Sequence, residues 1–577
     1  MASFLRLMNR FVRDRRGNVA VIFGIAVVPL ISAVGVAIDY SEAMRVKAKL
    51  QSAADAAAVA SISQNSSGWL AASKMTGNGE VTQAETDATN IFNGNINGLN
   101  TKLFTLNTQK TNAVVTKTGA NLNVTVSFNA TVPVTFMKVA GFSQLTVSGS
   151  SSANAQLPLY LDFYVAVDVS SSMGLPSTPA EAARMQAINP DNWVQYRTGC
   201  TLACHFAPQQ SACIDDPNVT PPTNPPSNPS TNPSPFYTQR YNTNNYCMGY
   251  IYSRLGQTAL AALINAPSVK GARKQVPGLP DAMLSNLNNS LSGPNSLITG
   301  NSASISSSLS AVSSCPTAGT DACIQLRLDA VGVALNATQP VNGIDGLFAT
   351  ANNPVFQQVP NQFRIGLYPF ITSMDTNYAP LTSTINGNPT TPGTINYAAI
   401  NLAAELDTNV NSNLGSGGTH IDVALNTLNT TITSVGDGST SNNTLPYVFL
   451  ITDGAQDPQS KGVPNGGWSG SNHATVLSDI NNQFPNACAA LKSRGIMISI
   501  LNIPYQTINP VNSSFAGDED DAANNNIPKI APSLKTCASP PDAQGVGYYY
   551  EATTPDQITA ALQAMFKHAL TTAHITN

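Results

Sequence analysis

The stretch Tyr160 to Gly174, YLDFYVAVDVSSSMG, decides how the rest of the chain is read. Its apolar run, with Phe163, Val165 and Val167, has the composition of a buried parallel strand. The run stops at Asp168, and Asp168-Val169-Ser170-Ser171-Ser172 has the pattern D-x-S-x-S. Past a strand end the chain turns sharply, so alternate residues of the turn can aim their oxygens at one point. One carboxylate with two hydroxyls suits Mg²⁺, a hard octahedral ion that keeps part of its water shell. In a serine-rich chain the same pentapeptide also fits a turn whose hydroxyls cap a helix.

Two later stretches favour the metal. Gly417-Gly418-Thr419-His420-Ile421-Asp422-Val423-Ala424-Leu425 puts a threonine after a glycine turn and before an amphipathic helix. A second apolar strand, Tyr447-Val448-Phe449-Leu450-Ile451, runs into Thr452-Asp453-Gly454. In an open doubly wound sheet the carboxyl ends of neighbouring strands share one edge. Asp168, Ser170, Ser172, Thr419 and Asp453 would then converge on one cation. These elements, in this order, resemble the metal-ion-dependent adhesion site (MIDAS) of the von Willebrand factor type A (vWA) family; Ser171 departs from it, since glycine is common there. The resemblance implies an α/β, doubly wound, Rossmann-like domain over residues 157–577. It implies Mg²⁺, with Mn²⁺ or Ca²⁺ as replacements, and an open coordination position for an acidic group of a protein partner. Asp168, Ser170 and Ser172 would be direct ligands, Thr419 would alternate between direct and water-mediated contact, and Asp453 would act through water.

At 577 residues, roughly two or three domains are expected. Only 10% of residues are charged, against about 25% in ordinary globular proteins, so uncharged polar side chains must solvate the surface. A net charge of -4 without basic patches gives no electrostatic footprint for nucleic acid.

Gly17 to Ile38, GNVAVIFGIAVVPLISAVGVAI, carries no charge. As a helix it would cover about 33 Å, enough to cross a hydrocarbon core of about 30 Å, and Pro29 is tolerated in such a span. Arg6, Arg10, Arg13, Arg15 and Arg16 precede it with Asp14 as the single acid, so the positive-inside rule keeps residues 1–16 in the cytoplasm and sends the rest across. The competing reading is a cleaved signal peptide, with Gly35-Val36-Ala37 as its small-residue site, but the apolar run exceeds the usual signal core. Residues 39–62 read as a continuing helix whose Met44, Leu50, Ala54, Ala57 and Ala58 can form a small-residue stripe. That stripe serves either packing on its own domain or helix association.

The same end of the chain resembles the TadE/TadG-like family of Flp (tight-adherence) pilus-assembly proteins. Arg15-Arg16-Gly17-Asn18-Val19-Ala20-Val21-Ile22-Phe23, Pro29-Leu30, Val36-Ala37-Ile38-Asp39-Tyr40 and Leu50-Gln51-Ser52-Ala53-Ala54-Asp55-Ala56-Ala57-Ala58 carry the resemblance. The TadG-like branch sets a vWA domain behind its anchor, the combination read here. It implies a single-pass protein of the bacterial inner membrane, with the bulk of the chain periplasmic or surface-exposed and a partner from the pilus machinery or envelope. Pseudopilin relatives are cut after a glycine and carry glutamate at the fifth mature position; counted from Gly17, Ile22 stands there, against pilin-like processing.

Residues 63–156 read as a small α+β stalk: Leu122, Val124, Val126 and Phe128 alternate with polar residues, as do Leu145 and Val147, with Gly119 and Gly141 at turns. An insertion at about 175–320 splits the second domain before a helix at Ile324 to Ala337 and a strand at Gln362 to Ile371. It holds Cys200, Cys204, Cys213, Cys247 and Cys315, with Cys323 at its boundary, and the proline-rich run Thr220 to Pro235. Cys200-Thr201-Leu202-Ala203-Cys204-His205 has one residue too many for c-type haem attachment and too few neighbouring ligands for zinc. Disulfides are the favoured reading, pairing open, while Cys488 and Cys537 flank a strand at Ile496 to Ile503 and suit each other. Asp518-Glu519-Asp520-Asp521 lacks EF-hand spacing and reads as a solvated loop. Thr554 to Ala569 has the spacing of a closing helix.

No G-x-S-x-G, histidine pair on a helix or P-loop is present. The expectation is a membrane-anchored, non-enzymatic pilus-assembly or adhesion protein. The alternatives are a structural envelope protein with a purely stabilising metal, and a metal-dependent hydrolase in which His420, beside Thr419, would be the base.

Overall fold

The computed structural model describes residues 17–97, 103–179, 181, 325–336, 343–388, 391–400, 402–407, 412–462, 468–470, 475–479, 483–505, 507 and 517–575. The basic tail, Cys200, Cys204, His205, Cys213, Cys247, Cys315, Cys323 and the proline-rich run lie outside these residues. The chain divides into two compact units, Met1–Pro158 and Leu159–Asn577.

The first unit is built on helix α1 (Gly17–Ser61), 45 residues that run unbroken through Pro29. At 1.5 Å per residue that is about 67 Å, roughly twice what a bilayer core requires. Its first half leaves Phe23, Ile25, Leu30 and Val34 bare, while its second half buries Ala43, Val46, Leu50, Ala54, Ala57 and Ala58. Of the stripe read from the sequence, Leu50, Ala54, Ala57 and Ala58 are buried and Met44 is exposed. The helices α2 (Ser67–Ser73) and α3 (Thr82–Ile96) follow, with β1 (Gly79–Glu80) between them and β2 (Thr105–Leu106) after. The strands β3 (Asn112–Thr118), β4 (Asn121–Pro133) and β5 (Gln144–Gln156) pair antiparallel, β3 turning into β4 at Gly119 with φ of +59°. On β4, Leu122, Val124, Val126, Phe128 and Ala130 point inward in strict alternation. Gly149 of β5 admits α1: a Cβ there would stand 2.5 Å from Gln51 Oε1, and Gln51 Nε2 donates to the Ser150 carbonyl at 3.0 Å.

In the second unit a six-stranded sheet comprises β6 (Leu161–Asp168), β7 (Phe363–Phe370), β8 (Ala379–Thr382), β9 (Leu445–Thr452), β10 (Met497–Asn502) and β11 (Tyr549–Glu551). Its spatial order is β11-β10-β9-β6-β7-β8, parallel throughout except for the edge strand β8. Counted from β6, this is the doubly wound order in which the direction of winding reverses between the first and fourth strands. Every residue of β6 is buried, as a central parallel strand covered on both faces must be. On one face Phe163 packs against Phe566 of α10 (Pro555–Ile575), ring centres 5.2 Å apart, near α4 (Arg327–Asn336). On the other, Tyr164 and Ala166 join Ile421, Leu425 and Leu428 of α7 (Ile421–Thr431) and Leu534 of α9 (Gly517–Cys537). The short helices α5 (Leu347–Ala351) and α6 (Ile395–Ile400) lie between, and α8 (Gln483–Ser493) precedes β10. The acidic run at 518–521 forms the start of α9 rather than a loop, where negative charge suits a helix amino end.

Cys488 of α8 and Cys537 at the end of α9 form a disulfide that ties two helices on the same face of the sheet. It closes 49 residues of chain. Replacing both cysteines by alanine should lower the stability of this unit by about 2–4 kcal/mol, read as an earlier unfolding midpoint in urea. Reductant should shift the parent at least as far as the double substitution does.

Candidate metal centre

The reversal point between β6 and β9 brings together four of the five predicted residues, Asp168, Ser170, Ser172 and Asp453. In the register of the sheet Val167 pairs with Ile451, so Asp168 and Thr452 stand side by side at the end of the two strands. Thr452 Oγ1 donates to Asp168 Oδ2 at 2.7 Å. The other carboxylate oxygen, Oδ1, receives the Ser170 N–H at 2.9 Å and the Ser170 hydroxyl at 2.6 Å. The Ser170 and Ser172 hydroxyls are 3.3 Å apart, and Ser172 lies close enough to Asp453 to pull its pKa down. The hydroxyls of the D-x-S-x-S turn thus lie beside both carboxylates. Asp168 and Asp453 are wholly buried.

Thr419 reaches the same sheet edge by its backbone. Its N–H and C=O exchange bonds with Asp457 at 3.0 and 2.9 Å, and the His420 N–H donates to Ile371 at the end of β7. Asp407 steadies the approach, accepting from the Ser416 hydroxyl and the Gly417 N–H at 2.8 Å each, while its own N–H donates to Val169. Gly417 sits at φ of +81°, a left-handed turn that favours glycine. His420 Nε2 lies 2.8 Å from the Gln459 carbonyl, which fixes that nitrogen as a donor and removes it as a base.

Charge decides what the site lacks. Burial, and then the neighbouring Asp453 charge, push the Asp168 carboxyl up to about 7, although the Ser170 and Thr452 hydrogen bonds pull the other way. Burial also raises Asp453, against the pull of Arg327 and Ser172. Arg327 of α4 is the local cation: its Nη1 stands 3.7 Å from Asp453 Oδ2, and its Nη2 donates to the Pro504 carbonyl at 3.0 Å. Arg327 Nη1 and Asp453 Oδ2 are both buried without a hydrogen-bond partner. Two carboxylates, two hydroxyls and an orphaned carboxylate oxygen match the oxygen donors that Mg²⁺ takes. Among the described residues no group of three or more His, Cys, Asp or Glu side chains could hold a metal ion, so a cation here would rest on two carboxylates and on hydroxyls.

Sequence reasoning missed Thr452 and Arg327. Thr452 is the last residue of an apolar strand, and the parallel pairing of β6 with β9 is what gives it a role. Arg327, in the turn Arg327-Leu328-Asp329-Ala330-Val331, was visible as a lone cation at the start of a buried helix.

Residues 17–64 match the family model of TadE/G-like Flp pilus-assembly proteins. None of the curated proteins matches the chain. Among the described residues a single helix, α1, is long and apolar enough to cross a membrane, and the family match falls on it. Together they support a membrane-anchored protein related to the Flp/Tad pilus.

The Asp168 carboxyl has an ordinary value of 3.8 but titrates near 7 in the folded, metal-free chain, so between those values the folded state holds the extra proton. Stability in EDTA should therefore fall as the pH rises from about 4 to about 7. Asp168→Asn should flatten that dependence, as read from urea midpoints across the range.

Proposed function

We propose that this chain is a non-enzymatic assembly or adhesion protein of an Flp-type pilus system, anchored in the bacterial inner membrane by α1. Its second unit is a vWA domain that binds a protein partner through a divalent cation. The observation that carries this reading is the carboxylate pair at the reversal point of the sheet, one positive charge short of neutrality with Arg327. Asp168, Ser170, Ser172, Thr419 and Asp453 would hold Mg²⁺, which supplies a point of attraction for an acidic side chain. The arginine-rich tail supports a cytoplasmic amino terminus, and the Cys488–Cys537 disulfide supports an oxidising compartment for the second unit.

The domain's own residues divide the work. Ser170 and Thr452 keep both oxygens of Asp168 oriented toward the edge, and Asp407 holds the turn that presents Thr419. Arg327 keeps Asp453 tolerable inside the core whether or not a cation is bound.

The second reading is a purely stabilising cation, favoured by depth, since Ser170, Ser172 and Thr419 are 1%, 7% and 6% exposed. A crosslinked pull-down from cells, washed with Mg²⁺ or EDTA, separates the two. Asp168→Ala and EDTA should each reduce recovery of pilus-machinery partners by more than about tenfold, while circular dichroism shows the fold intact. Equal recovery in every wash, with a lower melting temperature in EDTA, would leave only the stabilising role.

A further inference from the structure

The connection from β4 to β5, residues 134–143, is clamped to α1 at Asp39. The Asp39 carboxylate accepts the N–H groups of Thr135 at 3.0 Å, Phe136 at 2.8 Å and Met137 at 2.7 Å, and is only 7% exposed. One turn back along the helix, Gly35 makes room for Phe136: a Cβ there would stand 2.5 Å from Phe136 Cβ. The loop therefore lies against the end of the apolar segment. Its outward side is bare hydrocarbon, with Phe136 44%, Val139 83% and Phe142 55% exposed, and with Lys138 exposed among them. At the same level α1 shows Val34 and Ile38 to the surroundings.

We propose that this loop is a second membrane contact, in which Phe136, Val139 and Phe142 enter the boundary between headgroups and acyl chains of the bilayer that α1 crosses. The proposal rests on the reading of α1 as a membrane span. Continuity selects lipid as the occupant, because the bare Phe136, Val139 and Phe142 prolong the bare apolar surface of the span at Val34 and Ile38. Depth agrees: the uncharged run ends at Ile38, so Asp39 falls at the edge of the hydrocarbon, and Gly35 lies about 6 Å inside it. Interfacial side chains settle about 5–10 Å into that boundary. Lys138 can lie along this surface with its ammonium on lipid phosphates. With two footholds, the helix is fixed in rotation as well as in depth.

The test uses the full chain in vesicles of phosphatidylethanolamine and phosphatidylglycerol, with or without phosphatidylcholine brominated near the headgroup end of its acyl chains. Tryptophan is introduced singly as Val139→Trp, Phe142→Trp, Ile25→Trp and Val114→Trp, and each emission is read against that of the parent's own Trp69, Trp193 and Trp468. Val139→Trp and Phe142→Trp should emit to the blue of Val114→Trp, lose intensity in the brominated vesicles, and resist aqueous acrylamide. Acrylamide quenching at both loop positions without bromine quenching would overturn the proposal. Shielding from both quenchers would overturn it too, since protein rather than lipid would then cover the loop. Ile25→Trp keeps the two ideas apart: quenched by chain-terminal bromines while the loop is not, it upholds the span and sinks the loop contact. If Ile25→Trp is itself open to acrylamide, the span reading fails.

Discussion

Asp168 and Asp453 sit within the core at the carboxyl edge of the sheet, close enough for each to feel the other's charge, and the second unit is arranged around that repulsion. The same central strand offers a contrast. Asp162, at its opposite end, takes a two-pronged ion pair from Arg364, with Nε at 2.7 Å and Nη2 at 2.5 Å, and a hydrogen bond from Thr444 at 2.6 Å. That carboxylate is satisfied, and it locks β6 to β7 and to the approach of β9. Asp168 receives only neutral donors, and Arg327 stands beyond hydrogen-bonding distance of Asp453. A buried charge left in that condition is costly.

The chain on either side of the insertion is pinned close to this edge. Pro176 bridges to Leu326, the Ser177 N–H and hydroxyl bond to Gln325, and Glu181 accepts the Gln325 N–H at 2.7 Å. Arg327 N–H then donates to Leu175 at 2.8 Å, so the helix that carries the site's arginine begins where the D-x-S-x-S turn ends. The insertion can thus be long without disturbing the order of the strands, because its closure cost grows only slowly with length.

Much of this was legible in the sequence because it is written in periodicity. The strands at Tyr160, Gln362, Tyr447 and Ile496 are apolar runs with acids or turns at their ends, and the structure has β6, β7, β9 and β10 there within a residue or two. Asp168, Ser170 and Ser172 were legible because they are local. Thr452 and Arg327 were not, since their roles depend on strands and helices brought together from residues far apart. The acidic run at 518–521 misled because its charge suggested solvent, whereas a helix amino terminus also welcomes it.

The unbroken course of α1 also has a mechanical meaning. Had the apolar segment ended in a glycine or proline hinge, force applied to the first unit would first have straightened a slack joint. Here the helix passes from Val21 to its seat on β4 and β5 without interruption, and Asp39 and Gln51 bolt it to the backbone at two heights. A pull on that sheet is carried along a single rod as shear between helix and strands. Such a joint yields abruptly or not at all, which suits a part that must hold its place under load.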